Sequence, residues 1–466
     1  MVRRIVAKEL LDMEHMLGQY PNESHYDILI EEDTDCYLPP LCDVAQKATC
    51  GGQGCETCEK GNDELRIAFK FRKNYFNKEE LEQAYIGLRE AASESQNRGI
   101  AAGPRGEMLG AEGRGGRDWV TPYQLEILDF LINPTANILE NVSVTSIREK
   151  YKNYNPKDAD DVRGQVWLRS EVCKEYPEYH GWFDKWLAGL HNKPREEQRK
   201  EAEFIIKNYV SDTNYAQSVM SGIAGYFDRY PRIPYGRATS YTANNFEKFK
   251  MAYPFLQSLA RGFQQLLPWR YGNQMEAAKK VDPAFLVPET PFTTITVNKT
   301  FRTAAHYDAG DLDTGLSNLL VLSNNGNYKG GYLVAPEYRV AVNVRPGDLL
   351  LINNHEVMHG NTPIELLDDE AERVSLVCYF RENMLQLGSK AYEDCRREYV
   401  ESRRLDKNHH GHKHEDGTDR HLWNGVSPGM WDEKEWYDYC EKKVGRAELL
   451  KMHPEAETNS LEEFFA

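Results

Sequence analysis

The chain has 466 residues, of which 57 are basic and 73 acidic, so its formal net charge at pH 7 is −16. This balance excludes long-range electrostatic attraction to nucleic acid, and any contact with phosphate needs a local basic patch. With 40% hydrophobic residues the chain can bury a large core. No apolar run reaches membrane-spanning length, and charged residues interrupt the N-terminus. We therefore expect a soluble, intracellular protein without a membrane partner.

Residues 1–65 form a cysteine-rich N-terminal segment. Nine cysteines in an intracellular chain argue against a disulfide framework. Thiolates at this density suit a tetrahedral structural zinc site, whose candidate ligands are Cys42, Cys50, Cys55 and Cys58. Cys36 could replace Cys42 in that set. The alternative is a loop of reduced cysteines that holds no metal.

Residues 66–215 are predicted to be mostly helical. Apolar residues recur at helical spacing in residues 79–93, 121–132 and 196–209. Tryptophans near residue 185 suggest a further helix that packs on the core.

Two segments of this region could contact DNA phosphates. Residues 66–78 interleave basic and aromatic side chains, as a surface that neutralises phosphate and stacks bases would do. The alternative is an amphipathic strand with a solvated basic face. Residues 97–117 are rich in glycine and arginine and could wrap a phosphate backbone or close over a substrate. Here the alternative is a disordered solvent loop.

Residues 216–385 read as a succession of short strands. Alternating or continuous apolar runs, often β-branched, are separated by turn-forming residues. The predicted strands are 293–297, 319–322, 332–334, 339–344, 349–352 and 373–380. After them, residues 386–466 are predicted to be a charged, helical C-terminal extension.

Three residues in the strand region have the spacing of a metal site. His306 and Asp308 follow the first of these strands, and His359 follows the strand 349–352. Two imidazoles and one carboxylate can occupy one face of an octahedral metal and leave the other positions open, as in non-haem Fe(II) oxygenases. The pattern predicts an iron centre that reacts with O₂. The alternative is a turn pair at 306 and 308 with an unrelated surface histidine.

Arg373 and Ser375 lie on the same face of the last predicted strand. A buried guanidinium beside a hydroxyl suits the distal carboxylate of a dicarboxylate, because the planar fork matches a carboxylate and stays charged when desolvated. These residues predict an anchor for 2-oxoglutarate.

A competing motif overlaps the metal ligands, since residues 355–359 read H-E-x-x-H. In metalloproteases that pattern places two zinc ligands and a general base on one helix. Here it follows an apolar strand and is followed by Gly360 and Pro363, which disfavour a helix. We expect His355 to be a hydrogen-bonded loop residue.

The segments around these motifs resemble one known family. The similar segments are residues 292–298, 301–312, 330–334, 344–348, 359–363 and 372–375, with weaker likeness at 97–103 and 234–239. They are similar to the ten-eleven translocation and J-binding-protein (TET/JBP) family of Fe(II)/2-oxoglutarate-dependent dioxygenases, especially its bacteriophage branch. The resemblance covers residues 66–385 and is most specific around the metal motif.

The resemblance implies an α+β fold with a double-stranded β-helix (jelly-roll, cupin-like) core and flanking helices. It implies Fe(II) as cofactor, 2-oxoglutarate as co-substrate, and oxidation of the 5-methyl group of a pyrimidine in DNA. It also implies that an arginine on an early core strand holds the co-substrate, and Arg237 is the similar position; a plain surface arginine is the alternative. A phage-encoded protein would act in the host cytoplasm.

A pyrimidine methyl group lies inside a stacked duplex, so we expect base flipping or a single-stranded substrate. The resemblance favours 5-methylcytosine, oxidised to 5-hydroxymethylcytosine, over thymine. Two alternatives stay open: a hydroxylase of the same fold with a non-DNA substrate, and a catalytically idle DNA-binding or scaffold protein. The sequence leaves the oligomeric state undetermined.

Overall fold

The computed structural model describes residues 2–7, 9–38, 66–95, 98–103, 193–194, 196–201, 219–228, 233–413, 417–418 and 432–456. The chain divides into two compact units, one made of Met1–Ala101 and Ser218–Ala466 and the other of Ala102–Gln217. In the second unit, residues 196–201 are helical. None of the helices in the described ranges is both long enough and apolar enough to cross a bilayer.

The first unit contains both strands and helices. Its described strands are β1 (Arg3–Val6), β2 (Ile28–Ile30), β3 (Thr34–Tyr37), β4 (Ile67–Arg72), β5 (Ser93–Ser95), β6 (Val219–Phe227), β7 (Arg237–Ala238), β8 (Thr294–Lys299), β9 (Ser317–Ser323), β10 (Tyr328–Gly330), β11 (Leu333–Ala335), β12 (Val340–Val342), β13 (Leu349–Ile352), β14 (Gly360–Asn361), β15 (Ile364–Leu366) and β16 (Arg373–Tyr379). Its described α-helices are α1 (Lys78–Leu88), α2 (Ser240–Asn244), α3 (Phe246–Met251), α4 (Tyr253–Leu266), α5 (Pro268–Ala278), α6 (Lys390–Leu405), α7 (Glu433–Val444) and α8 (Arg446–Met452).

The described strands form a large sheet and a small sheet that pack face to face, and β10 and β15 pair as a separate two-stranded sheet. The large sheet has the order β1-β3-β4-β13-β9-β16-β8-β6-β5, with β7 paired to β6, and the small sheet has the order β14-β11-β12-β2. Leu350 and Ile352 of β13 lie in the same buried cluster as Leu333 and Val342 of the small sheet. The two sheets therefore share an apolar core at these positions, and the expected α+β double-stranded β-helix with flanking helices is confirmed.

Helices cover the other face of the large sheet. Leu349 and Leu351 point to this side and share a second buried cluster with residues of α1, α3 and α4. In α4 the buried Phe255, Leu259 and Phe263 recur every four residues, which gives the helix one apolar face. Strand β13 is thus apolar along its whole length because both of its faces are buried.

The N-terminal region contributes strands to both sheets. β3 pairs with β4, β4 pairs with β13, and β2 pairs in parallel with β12. Residues 1–65 and 66–215 thus supply strands that pair with strands of residues 216–385, and the four-part division of the chain stays a prediction. The strands predicted between residues 293 and 380 are all present, and the helix predicted at 79–93 is α1 with a short 3-10 turn after it.

The described part of the C-terminal extension contains the helices α6, α7 and α8. α6 begins at the N-cap Ser389, whose hydroxyl accepts the backbone N–H of Tyr392. Tyr392, Trp436 and Cys440 pack with residues of α8 in a separate buried cluster. The extension therefore has an apolar core of its own.

Candidate metal centre

Backbone pairing brings the two predicted histidine ligands together although 53 positions separate them in sequence. The N–H of His306 donates to the carbonyl of His359 at 2.9 Å, and the N–H of His359 donates back at 3.0 Å. Their ring centroids lie 4.4 Å apart. Gly360 makes this approach possible, because a Cβ at that position would lie 2.8 Å from the carbonyl carbon of Ala304 and the nitrogen of Ala305.

Both imidazoles point the same ring nitrogen at Asp308. The Nδ1 of His306 lies 2.7 Å from the carbonyl of Ala304, and the Nδ1 of His359 lies 3.0 Å from that of Val357. Each Nδ1–H can therefore donate to a backbone oxygen, which leaves each Nε2 free as a ligand. The candidate ligand atoms of the three residues all lie within 4.8 Å of one another.

The electrostatics of this cluster suit a bound cation. Burial and the neighbouring His306 lower the pKa of His359 to about 4, so this imidazole is neutral at pH 7. Although burial alone would raise it, a hydrogen bond with His306, the charge of His359 and a hydrogen bond from Asn354 hold the pKa of Asp308 below its usual range. Two nitrogens and one carboxylate oxygen form the donor set that fits octahedral Fe(II) with open positions.

One carboxylate ties the two ligand-bearing loops to each other. Glu337 accepts a hydrogen bond from the hydroxyl of Tyr307 at 2.8 Å and another from the backbone N–H of Met358 at 3.0 Å. Tyr307 lies between the first two candidate ligands, and Met358 precedes the third. Glu337 therefore fixes the positions of the two loops relative to each other.

Arg373 is a buried cation with spare donors. It is 1% exposed, and its Nη2 donates to the carbonyl of Gly331 at 3.1 Å. Its Nε and Nη1 have no hydrogen-bond partner among the described residues. Burial lowers the pKa of Arg373, and the nearby Arg345 acts in the same direction, whereas the hydroxyl of Tyr328 acts against them. Unpaired buried N–H groups on a guanidinium fit the carboxylate of a ligand.

The surroundings of Arg373 place its guanidinium between the two sheets. The ring centroid of Tyr328, which lies in the intersheet cluster, is 5.9 Å from the guanidinium carbon. Ser375 is 8% exposed and lies two residues further along β16, on the same face. Beside Arg373, the carboxylate of Glu372 accepts hydrogen bonds from Arg89 and Tyr85 of the helical layer, and these fix the start of β16.

Arg237 has a different set of partners. It lies on β7 with its guanidinium carbon 5.4 Å from the ring centroid of Phe227, and its Nη1 donates to the carbonyl of Asp228 at 3.2 Å. Arg381 contacts the same ring from 4.3 Å and forms an ion pair with Asp228. These contacts fix Arg237 at the end of β6, and its role in co-substrate binding stays a prediction.

Two residues near the cluster were missed by the sequence analysis. Arg98 was assigned to a glycine- and arginine-rich loop, but its guanidinium is partly buried and interacts with groups of the cluster. Burial lowers the pKa of Arg98, whereas the Tyr379 hydroxyl and the Asp308 carboxylate raise it. Its Nε has no partner among the described residues. Burial and the charge of Asp308 raise the pKa of Asp311 to about 7. The sequence feature that could have indicated Arg98 is the family-like segment 97–103, and for Asp311 it is the position of a second acidic residue three positions after Asp308.

The H-E-x-x-H segment is not helical. Residues 354–356 form a turn after β13, His359 forms a β-bridge with His306, and the Nε2 of His355 lies 2.8 Å from the carbonyl of Asp311. The expectation that His355 is a hydrogen-bonded loop residue is confirmed. A zincin-type site is excluded, because its two histidines must share one face of a helix.

The prediction that residues 66–78 form a surface for stacking bases is wrong. This segment contains β4, and the rings of Phe69 and Phe71 are buried between the sheets. Arg72 forms a 2.7 Å ion pair with Asp35 on the neighbouring strand, so its charge is neutralised within the fold. The alternative of an amphipathic strand is closer, although Arg66, Lys70, Arg72 and Lys73 have protein partners.

The zinc prediction falls largely outside the described residues, as do Cys42, Cys50, Cys55 and Cys58. Cys36 is described. It is fully buried on β3, and burial raises the pKa of its thiol to about 12. Cys36 therefore belongs to the apolar core and does not suit the thiolate site.

Comparison with known proteins places the site within a matched domain. Residues 222–382 match the Tet_JBP family model, described as the oxygenase domain of the 2OGFeDO superfamily. The thymine dioxygenase JBP1-B of Trypanosoma cruzi is 36% identical over 167 residues, which are 35% of this chain and 19% of that protein. The bifunctional helicase and thymine dioxygenase JBP2 of Leishmania infantum is 33% identical over 181 residues, 38% of this chain and 16% of that protein.

This chain spans about a fifth of the length of the curated relatives it matches. Among solved structures, NgTET1 in complex with 5mC DNA is 17% identical with a TM-score of 0.30, covering 42% of this chain and 70% of that one. Residues 222–382, which carry His306, Asp308, His359 and Arg373, are thus similar to the oxygenase domains of the Tet_JBP family.

Proposed function

We propose that this protein is an Fe(II)- and 2-oxoglutarate-dependent dioxygenase that oxidises the 5-methyl group of a pyrimidine base in DNA. The observation that carries the proposal is the convergence of two Nε2 atoms and one carboxylate within 4.8 Å, in a protein whose buried Arg373 has unpaired donors. The two imidazoles and the carboxylate suit the metal, and the unpaired N–H groups of Arg373 suit the distal carboxylate of the co-substrate.

The residues of the site have distinct tasks in this reaction. His306, Asp308 and His359 would hold the iron, and Arg373 with Ser375 would hold the far end of 2-oxoglutarate. Bound iron and 2-oxoglutarate supply the activation of O₂ and the abstraction of hydrogen from the methyl group. The protein positions these groups and limits water, because the side chains of His359 and Asp308 are only 4% and 26% exposed.

Support for the DNA substrate comes from the relatives. The curated relatives reported above are named thymine dioxygenases. Thymine and 5-methylcytosine present a methyl group at the same ring position, so either fits the proposed chemistry. The target base would have to leave the stack to reach a site inside the β-helix. A place in the bacteriophage branch is part of the proposal and rests on the resemblance of residues 97–103 and 234–239.

The test uses two DNA substrates that differ in the available methyl group. One contains 5-methylcytosine with uracil in place of thymine, and the other contains thymine and no methylcytosine. Each is incubated with the protein, Fe(II), 2-oxoglutarate and O₂, and nucleosides are measured by mass spectrometry. We expect a hydroxymethyl product from one of the substrates, together with one succinate per oxidised methyl group.

Matched variants separate the site from the fold. Asp308→Ala should abolish the product, whereas Asp313→Ala should retain it, because the Asp313 side chain is 79% exposed. Succinate formed without any change in DNA nucleosides would indicate a non-DNA substrate. Oxidation that persisted in Asp308→Ala would refute the assignment of the metal centre.

A further inference from the structure

Asn354 is joined to the candidate ligand Asp308 by two hydrogen bonds. Its side-chain Nδ2 donates to the Oδ2 of Asp308 at 2.7 Å, and the backbone N–H of Asp308 donates to the carbonyl of Asn354 at 3.0 Å. Asn354 is 1% exposed, so water does not compete for this contact. The position and the orientation of the Asp308 carboxylate are therefore both set from residue 354.

The amide of Asn354 is favourable in only one orientation, with its Nδ2–H group toward Asp308. Its Oδ1 is buried and has no hydrogen-bond partner among the described residues. A flipped amide would turn that oxygen toward the carboxylate oxygen, which is repulsive, so only the donating orientation is favourable. An unsatisfied buried acceptor destabilises the fold, and an apolar side chain of similar size would avoid the penalty. The asparagine is thus explained by what its N–H group does to Asp308.

The two oxygens of Asp308 have different neighbours. Oδ1 lies 3.3 Å from the Nε2 of His306 and is not the oxygen bound by Asn354. Oδ2 carries the hydrogen bond from the amide and lies 3.9 Å from the Nε2 of His359. A carboxylate with one oxygen engaged by a neutral donor has only its other oxygen fully available to a metal.

We propose that Asn354 is a positioning residue that makes Asp308 a single-oxygen ligand, presenting Oδ1 to the metal. Holding the carboxylate in this mode leaves the remaining coordination positions for the co-substrate and O₂. The inference rests on the proposed function only for the identity of the metal and the co-substrate. The contact itself depends on neither.

The test measures metal binding apart from turnover. Asn354→Leu removes the donor and keeps a side chain branched at Cγ. Asn353→Leu is the matched control, because Asn353 is 5% exposed and its side chain donates instead to Glu356 at 3.0 Å. Co(II) is titrated calorimetrically into each metal-free protein, and the visible d–d spectrum of the loaded site is recorded. We expect Asn354→Leu to bind Co(II) about 10- to 100-fold more weakly with an altered spectrum. Asn353→Leu should match the wild type in both.

A second titration tests the coordination mode. 2-Oxoglutarate is added to protein saturated with Co(II). Asn354→Leu should bind it more weakly, because an Asp308 carboxylate that binds the metal through both oxygens takes a coordination position that 2-oxoglutarate needs. Wild-type Co(II) affinity and spectrum in Asn354→Leu would overturn the inference, as would equal losses in both leucine variants. Wild-type protein that binds Co(II) normally but oxidises no methyl group would overturn only the proposed function.

Discussion

Replacing Arg373 by methionine should stabilise the protein without ligands and abolish its stabilisation by 2-oxoglutarate. Arg373 is almost fully buried, two of its three guanidinium nitrogens have no hydrogen-bond partner among the described residues, and burial disfavours its charge. Methionine can occupy much of the same space without a charge. The unliganded fold therefore retains a destabilising residue that only a bound carboxylate compensates.

The size of the effect follows from these contacts. Each unsatisfied buried donor costs about 1–3 kcal/mol, and replacing even a paired set of buried charges by apolar residues is neutral or stabilises proteins by about 1–4 kcal/mol. The variant loses one hydrogen bond, from Nη2 to Gly331, worth about 1 kcal/mol. We expect the free energy of unfolding of Arg373→Met to rise by about 1–3 kcal/mol. At a ligand concentration of 100 times Kd, the wild type should gain about 2.7 kcal/mol, and the variant almost nothing.

The assay is urea unfolding of the metal-free protein, and of the Mn(II)-loaded protein with and without 2-oxoglutarate. Arg345→Met is the control, because Arg345 already donates to the carbonyl of Tyr328 at 3.1 Å. This control should lose a little stability and keep its response to 2-oxoglutarate. An Arg373→Met protein that was less stable than the wild type, or that still responded to 2-oxoglutarate, would refute the reasoning.

Three further predictions concern stability and metal content. Despite burial, hydrogen bonds from Arg89 and Tyr85 hold the pKa of Glu372 at about 2. The ionised Glu372 therefore stabilises the fold above pH 4.5, and this stabilisation is lost as the pH falls toward 2. Glu372→Gln should be less stable than the wild type by about 1–2 kcal/mol at pH 7 and equal to it near pH 2. Denaturation measured at several pH values across this range tests the difference. Gly360→Ala should displace the backbone before His306 and weaken Co(II) binding about tenfold, whereas Gly272→Ala, with open space around it, should leave calorimetric titrations unchanged. Cys55→Ser should reduce the zinc content measured by mass spectrometry; equal zinc in variant and wild type would exclude Cys55 as a ligand.

The strands and the candidate metal ligands could be recognised from the sequence because their signals are local. The run 349–352 is apolar at every position, and it forms β13 with both faces buried. His306 and Asp308 follow a strand, and such positions at strand ends commonly carry site residues. Arg373 was predicted from residue type and alternation along β16, and its unpaired donors agree with the expected anchor.

Other features depend on pairing between distant segments, which composition does not reveal. The cations of residues 66–78 suggested a phosphate-binding surface because their partners, such as Asp35, lie on another strand. The role of Glu337 depends on two loops that meet only in the folded chain. Asn354 carried no sequence signal of its own, since an asparagine after a strand is also an ordinary turn residue.

The participation of the N-terminal strands in both sheets limits where the chain can be cut. A fragment starting at residue 216 would lack β4 and β2, which hydrogen-bond to β13 and β12. It would expose an open edge on each layer of the β-helix, together with apolar surface that Phe69 and Phe71 now cover. Such edges recruit other chains, so the segment that matches the enzyme family should aggregate when produced alone, although it carries every candidate iron ligand.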